Sequence, residues 1–173
     1  MQQRLWIERT FELGIPADHL PEIVERLRGT PARIEDRLRG IPPELLTSTA
    51  QGGWSIQTHV GHLIDLEPLW YRRYEELVNQ VATLTAADMS NQRTNEADYD
   101  SRRFQDILAE FRFARMRFVA ALENLADADL QKSSHHPRLN KAMRLTDLAF
   151  FAAEHDDHHL ATITHILRSL DGV

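Results

Sequence analysis

The sequence predicts an all-α protein: a four-helix bundle with a long connection between its second and third helices. Three observations carry this. Four stretches repeat apolar residues at three- and four-residue spacing. No stretch shows the period-two, β-branched pattern of a strand. The seven glycines and seven prolines gather mostly between the periodic stretches. A chain of 173 residues fits a single domain over 1–173, long enough to bury most of its apolar side chains in one core.

The first helix is expected from about Asp18 to Arg39. Asp18 can cap it, Pro21 is tolerable in the first turn, and Leu20, Ile23, Val24, Leu27, Ile34 and Leu38 form its apolar side. Gly29 and Pro31 predict a kink or break, and "GIPPELL" ends it with one short turn. The second helix starts in "GGWSIQTHVGHL", with Ser55 as N-cap and with Trp54 and His59 at the two positions of a hydrophobic staple. It continues through Val60, Leu63, Leu66, Trp70 and Leu77 to about Val81, bent at Pro68. The polar stretch "TAADMSNQRTNEADYD" is long for a link between neighbours, so it reads as a crossover along or across the bundle. The third helix runs from near Ser101 to near Asn124, with Phe104, Leu108, Phe111, Phe118 and Leu122 as its core stripe. After the loop "SSHHPRLNKAMR" comes the fourth, with Thr146 as N-cap and Leu145 and Phe150 placed for a staple, reaching about Leu170.

Composition narrows the function. The formal charge of −6 argues against nucleic acid as a partner. Arg112, Arg115 and Arg117 are flanked by acidic residues and make a weak polyanion site. With no cysteine, disulfides, thiolate metal sites, iron–sulfur clusters and a cysteine nucleophile are excluded. The longest apolar run, "LAFFAA", is far short of a membrane span, and "MQQRLWIERTFELG" lacks the apolar core of a secretory signal. A cytoplasmic protein with no membrane partner is the expectation.

The chemistry gathers in "AEHDDHHLATITHIL", which holds four of the nine histidines. Helical phase puts His155 and His159 on the stripe of Leu148, Ala152, Thr162 and Ile166. His158 and His165 fall on a neighbouring stripe, and Asp156 and Asp157 on the more polar side. H-x-x-x-H places two imidazoles within reach of one metal ion at Zn–N distances of about 2.0–2.1 Å. A third ligand is required, and "THVGHL" offers His59 or His62. The same histidines also fit ordinary hydrogen-bonded core positions, and spacing alone leaves both readings open. A zincin would carry glutamate where Asp156 stands, and the paired E-x-x-H motifs of di-iron bundles are missing. The metal reading is therefore a mononuclear three-histidine site with open positions.

"GGWSIQTHVGHLIDLE" and "AEHDDHHLATI", in this order, resemble the two motifs of the DinB-like (DinB/YfiT) metal-binding four-helix bundles. "RTFELGIPADHLPEIVERLRGTPARIE" and "TNEADYDSRRFQDIL" extend the resemblance over roughly residues 5 to 170, and look like members described as damage-inducible. The resemblance implies a bundle that is often a homodimer. It implies a divalent ion, nickel or zinc, held by His62, His155 and His159. Relatives include metal-dependent transferases that use a low-molecular-weight thiol to attack a small-molecule substrate. Metal-dependent hydrolysis and a non-enzymatic, stress-induced metal-binding role are the alternatives. His59 then packs on Trp54, His158 sits beside the ligands or at the surface, and His135 and His136 lie in a loop without an identifiable partner. Asp65 or Glu67 could orient a ligand imidazole or pair with arginines. Arg115, on the core stripe of the third helix, is expected to cover apolar surface with its stem and reach water, with pairing to a substrate carboxylate as the alternative.

Overall fold

A computed structural model describes residues 4–49 and 53–170. Its elements in chain order are α1 (Leu20–Leu38), α2 (Pro43–Leu46), α3 (Ile56–Val78), α4 (Gln92–Glu96), α5 (Phe104–Glu123), β1 (Ser133–His136), β2 (Lys141–Arg144) and α6 (Leu145–Leu170). The four long helices form the expected bundle. Both α1 and α3 pack on α5 and on α6, so α1 and α3 occupy opposite corners. Among the described residues, no helix is long and apolar enough to cross a membrane.

Helix α1 runs unbroken through Pro31, so the expected break does not occur. Proline removes the N–H that would bond the carbonyl four residues back, here that of Leu27. Arg115 Nη1 donates to that carbonyl instead, at 3.3 Å. The lost helical bond is thus replaced from a neighbouring helix. Helix α3 begins as expected, with Ser55 Oγ accepting from the Thr58 N–H at 2.9 Å, and it too continues past its proline, Pro68.

The connection over 79–103 holds α4 and a 3₁₀ turn at Tyr99–Ser101, both packed on α3. Gly61 makes this contact possible. A Cβ there would lie 2.3 Å from the Tyr99 ring, so only glycine lets the ring settle on the helix.

The loop expected over 133–144 is an antiparallel hairpin pairing Ser133 with Arg144 and His136 with Lys141. Its inward positions are Ser134, His136 and Met143, so the apolar alternation that announces a strand is missing from the sequence. His135 also pairs with the 82–84 segment, its N–H donating to the Ala82 carbonyl at 3.0 Å. Helix α6 follows β2 directly, and Thr146 is buried within it rather than capping it. Asp147 does the capping: its carboxylate accepts from the Arg144 N–H at 2.9 Å and from the Gly14 and Ile15 N–H groups at 2.7 and 2.9 Å. One carboxylate therefore starts α6 and ties down the arm that precedes α1.

Two apolar clusters fill the bundle, one around Leu27, Trp70, Phe118 and Phe151, the other around Ile34, Leu63, Phe111 and Ile163. Between them each helix contributes one residue to a buried polar layer: Thr30 of α1, Glu67 of α3, Arg115 of α5 and Asp156 of α6. Arg115 is fully buried. Its Nε donates to Glu67 Oε1 at 2.7 Å, its Nη2 to Asp156 Oδ1 at 3.0 Å and its Nη1 to Asp156 Oδ2. Thr30 Oγ1 donates to Asp156 Oδ2 at 2.7 Å. This corrects two expectations. Arg115 neither reaches water nor faces a substrate, and Asp156 is buried rather than on the polar side. Burial opposes the Arg115 charge, but the Asp156 and Glu67 carboxylates outweigh it and hold the guanidinium protonated. Burial pushes the Glu67 carboxyl up to about 7, against the pull of Arg115.

Candidate metal centre

His155 and His159 project from α6 one turn apart, and His62 projects from α3 toward them; all three are buried. Each offers a ring nitrogen within 4.8 Å of the other two, a spacing that can hold one metal ion. The Nε2 atoms of His155 and His159 lie 3.3 Å apart. That is the separation of two nitrogens about 2.0–2.1 Å from one ion at a near-tetrahedral angle.

Hydrogen bonds select the ligand atoms. The Thr94 hydroxyl donates to Asp65 Oδ2 at 2.8 Å, so it must accept from His62 Nδ1, 2.9 Å away. His62 then carries its proton on Nδ1 and keeps the Nε2 lone pair for an ion. Asp65 is itself held by the Tyr99 hydroxyl at 2.9 Å and by Arg93 Nε at 2.8 Å. Of the two carboxylates considered from sequence, Asp65 reaches an imidazole through Thr94, whereas Glu67 belongs to the Arg115 layer.

His59 is closer to this centre than packing on Trp54 alone implies. Its ring lies 5.5 Å from that of Trp54, but its Nδ1 is also 2.9 Å from His159 Nδ1. If His159 offered Nε2 to an ion, its Nδ1–H would donate and His59 would accept. Every histidine here is held below its ordinary value. Burial, then His158, brings His59 down to about 4; burial, then His59 and His158, does the same for His62. His155 and His159 fall well below 6.5, first through burial and then through their histidine neighbours. The rings are neutral at pH 7, the form that binds metal.

One side of the cluster opens on a cavity of about 470 Å³. His59, His62, His155, His158 and His159 line it, together with Trp6, Trp54, Trp70 and Phe151. Three further residues line its wall: Arg73 and Arg138, not singled out by sequence, and His136. His136, expected in a loop without partners, is buried at the end of β1 with its ring 5.3 Å from that of Phe151. His135 beside it is exposed and His165 lies outside the cavity wall.

The family model of the DinB superfamily matches residues 26–163, the span that contains His62, His155 and His159. The chain belongs to the DinB superfamily. A Bacillus licheniformis protein named "Putative metal-dependent hydrolase" is 25% identical over 164 residues, covering 89% of each chain. The fold matches a solved structure of YfiT from Bacillus subtilis with a TM-score of 0.81 at 21% identity, covering 95% of this chain and 94% of that one. That protein is described as "a probable metal-dependent hydrolase with an unusual four-helix bundle topology". A DinB-superfamily bundle with a three-histidine cluster compatible with a divalent metal is what the geometry and these relatives establish together.

Proposed function

We propose that this chain binds one divalent ion, nickel or zinc, through His62, His155 and His159 and hydrolyses a small molecule held in the adjoining cavity. The observation that carries this is the one-sidedness of the site: three imidazoles converge from α3 and α6, and the space beside them is a cavity large enough for a small substrate. Three protein ligands with open positions mark catalytic rather than structural sites. When bound, the ion supplies a Lewis acid that lowers the pKa of a water or thiol at its open face. The chain supplies orientation and proton handling. Thr94 and Asp65 fix the His62 ring, and His59 fixes that of His159. His158, half-buried on the cavity wall and held low by burial and by Arg9, is neutral near pH 7 and is assigned to receive the nucleophile's proton. The names of the two Bacillus relatives point the same way.

A thiol transferase is the second reading, and one observation favours it. Among the described residues of the cavity wall, the carboxylate is Asp88. Its oxygens accept from Ser90 and Gln92, which hold it below its ordinary value, so it is a poor base. A thiol deprotonated by a metal attacks without any carboxylate base. The test begins with cobalt-loaded protein, assayed on a panel of small esters and amides. It is then assayed with cysteine or glutathione and an electrophilic acceptor. Hydrolysis without added thiol that His155→Ala abolishes supports the hydrolase. Turnover only with thiol supports the transferase. One ion per chain retained in the His155→Ala, His159→Ala double variant overturns both.

A further inference from the structure

The cavity wall away from the three histidines carries buried hydrogen-bond donors, three of which have no partner among the described residues. Arg73 of α3 is 1% exposed. Its Nε donates to the Thr85 carbonyl at 2.9 Å, and no carboxylate pairs with it among the described residues. The nearby acid, Glu76, is taken up by Arg72 and by the Thr85 N–H and hydroxyl. Arg138, on the hairpin turn, donates from Nη1 to the Ile7 carbonyl at 3.5 Å, while its buried Nη2 has no partner. His136 accepts from the Leu139 N–H at its Nδ1, 3.2 Å away. A neutral ring must therefore carry its proton on Nε2, which is buried without an acceptor. The Trp70 indole N–H is likewise buried and unbonded.

These four groups line one cavity, and all four are donors. Two guanidiniums with no carboxylate paired to them among the described residues are an expensive arrangement unless something anionic completes it. Burial brings Arg73 down to about 10, opposed by Glu76 and helped by Arg138, and burial, then Arg73 and Arg138, holds His136 at about 4.

We infer that Arg73, Arg138, His136 and Trp70 form a subsite for the carboxylate of an organic-acid substrate. Two carboxylate oxygens accept about four hydrogen bonds, which matches the donors present. The walls between this subsite and the histidines are aromatic. The Arg73 guanidinium lies 5.7 Å from the Trp70 ring centre and Arg138 lies 5.5 Å from that of Phe151. Trp70 in turn lies 5.9 Å from the His155 ring, and Trp6 lies 4.8 Å from it. An apolar body can rest on these rings with its carboxylate at the arginines and its reacting group toward His155. This inference rests on the reading of the cavity as a substrate site, and it is testable without metal.

The experiment is a titration of metal-free protein with phenylacetate, followed by calorimetry and tryptophan fluorescence, with phenylacetamide and inorganic phosphate as parallel arms. Phenylacetate is expected to bind and phenylacetamide to bind about ten-fold more weakly or not at all, as loss of a charge-assisted contact predicts. Arg138→Gln, on the half-exposed turn, is expected to weaken phenylacetate about ten-fold while leaving cobalt affinity unchanged. Arg73→Met should do the same, with circular dichroism confirming its fold. His155→Ala should lose cobalt but keep phenylacetate, so failure of the metal reading and failure of the subsite are separable. Equal binding of the amide and the acid overturns the proposal. So does binding unaffected by Arg138→Gln, or phosphate binding more tightly than phenylacetate.

Discussion

Replacing Arg115 with methionine removes the only cation of the buried layer and leaves a side chain of comparable length. The consequence can be followed acceptor by acceptor. Asp156 loses both of its arginine bonds and keeps the one from Thr30. The Leu27 carbonyl, already deprived of a helical donor by Pro31, loses its replacement. Glu67 loses the Nε and Nη2 contacts, but a carboxyl pushed up to about 7 responds by keeping its proton. Most of the cost therefore falls on Asp156, which is fully buried. Breaking a buried ion pair from one side costs about 3–5 kcal/mol, a large part of the roughly 5–15 kcal/mol that holds a domain together. The assay is urea unfolding of metal-free protein, comparing midpoints at constant slope. Adding Glu67→Gln and Asp156→Asn to Arg115→Met should recover more than half of the loss, because no buried charge is then left unpaired. A loss below about 1 kcal/mol, the range of an exposed pair, would refute the argument.

Three further outcomes are expected. Thr94→Val should lower cobalt affinity by about 10–100-fold by freeing the His62 ring, with Thr94→Ser restoring it; equal affinities in both variants would contradict the relay. Gly61→Ala should cost about 1–3 kcal/mol in urea unfolding, because its Cβ meets the Tyr99 ring at 2.3 Å. Stability of metal-free protein should fall as the pH drops from about 6.5 toward 4: His59, His62 and His136 titrate near 4 when folded and at their ordinary 6.5 when unfolded, so the unfolded chain binds more protons in that window. Glu67 acts with the opposite sign between about 4.5 and 7, but it is one group against several; a urea midpoint unchanged from pH 7 to pH 4.5 would contradict this.

The helices were legible because each buries a stripe at helical spacing, and their observed ends differ from expectation by a few residues. The hairpin was not legible, since its inward residues are serine, histidine and methionine rather than alternating β-branched side chains. Asp156 was misplaced for a related reason: helical phase ranks a residue by polarity, and a buried carboxylate is explained only by an arginine on another helix. Arg115 did leave a signal, a cation in a stripe of phenylalanines, but not the identity of its partners. Arg73 left a weaker one, lying one turn beyond Trp70 on the same helix. His136 left none, because its burial depends on a strand pairing with the 82–84 segment.

The polar layer also works as an alignment key. Four helices with apolar faces can slide along one another by a turn, about 5.4 Å, and still bury hydrocarbon against hydrocarbon. Here such a slip would set Arg115 among Ile34, Leu63 and Ile163, or among Leu27 and Trp70, and strand Asp156 in the opposite direction. A single axial position per helix satisfies Thr30, Glu67, Arg115 and Asp156 together. His155 precedes Asp156 in the chain and His62 lies little more than one turn from Glu67, so fixing this layer also fixes the depth at which the imidazoles from two helices meet.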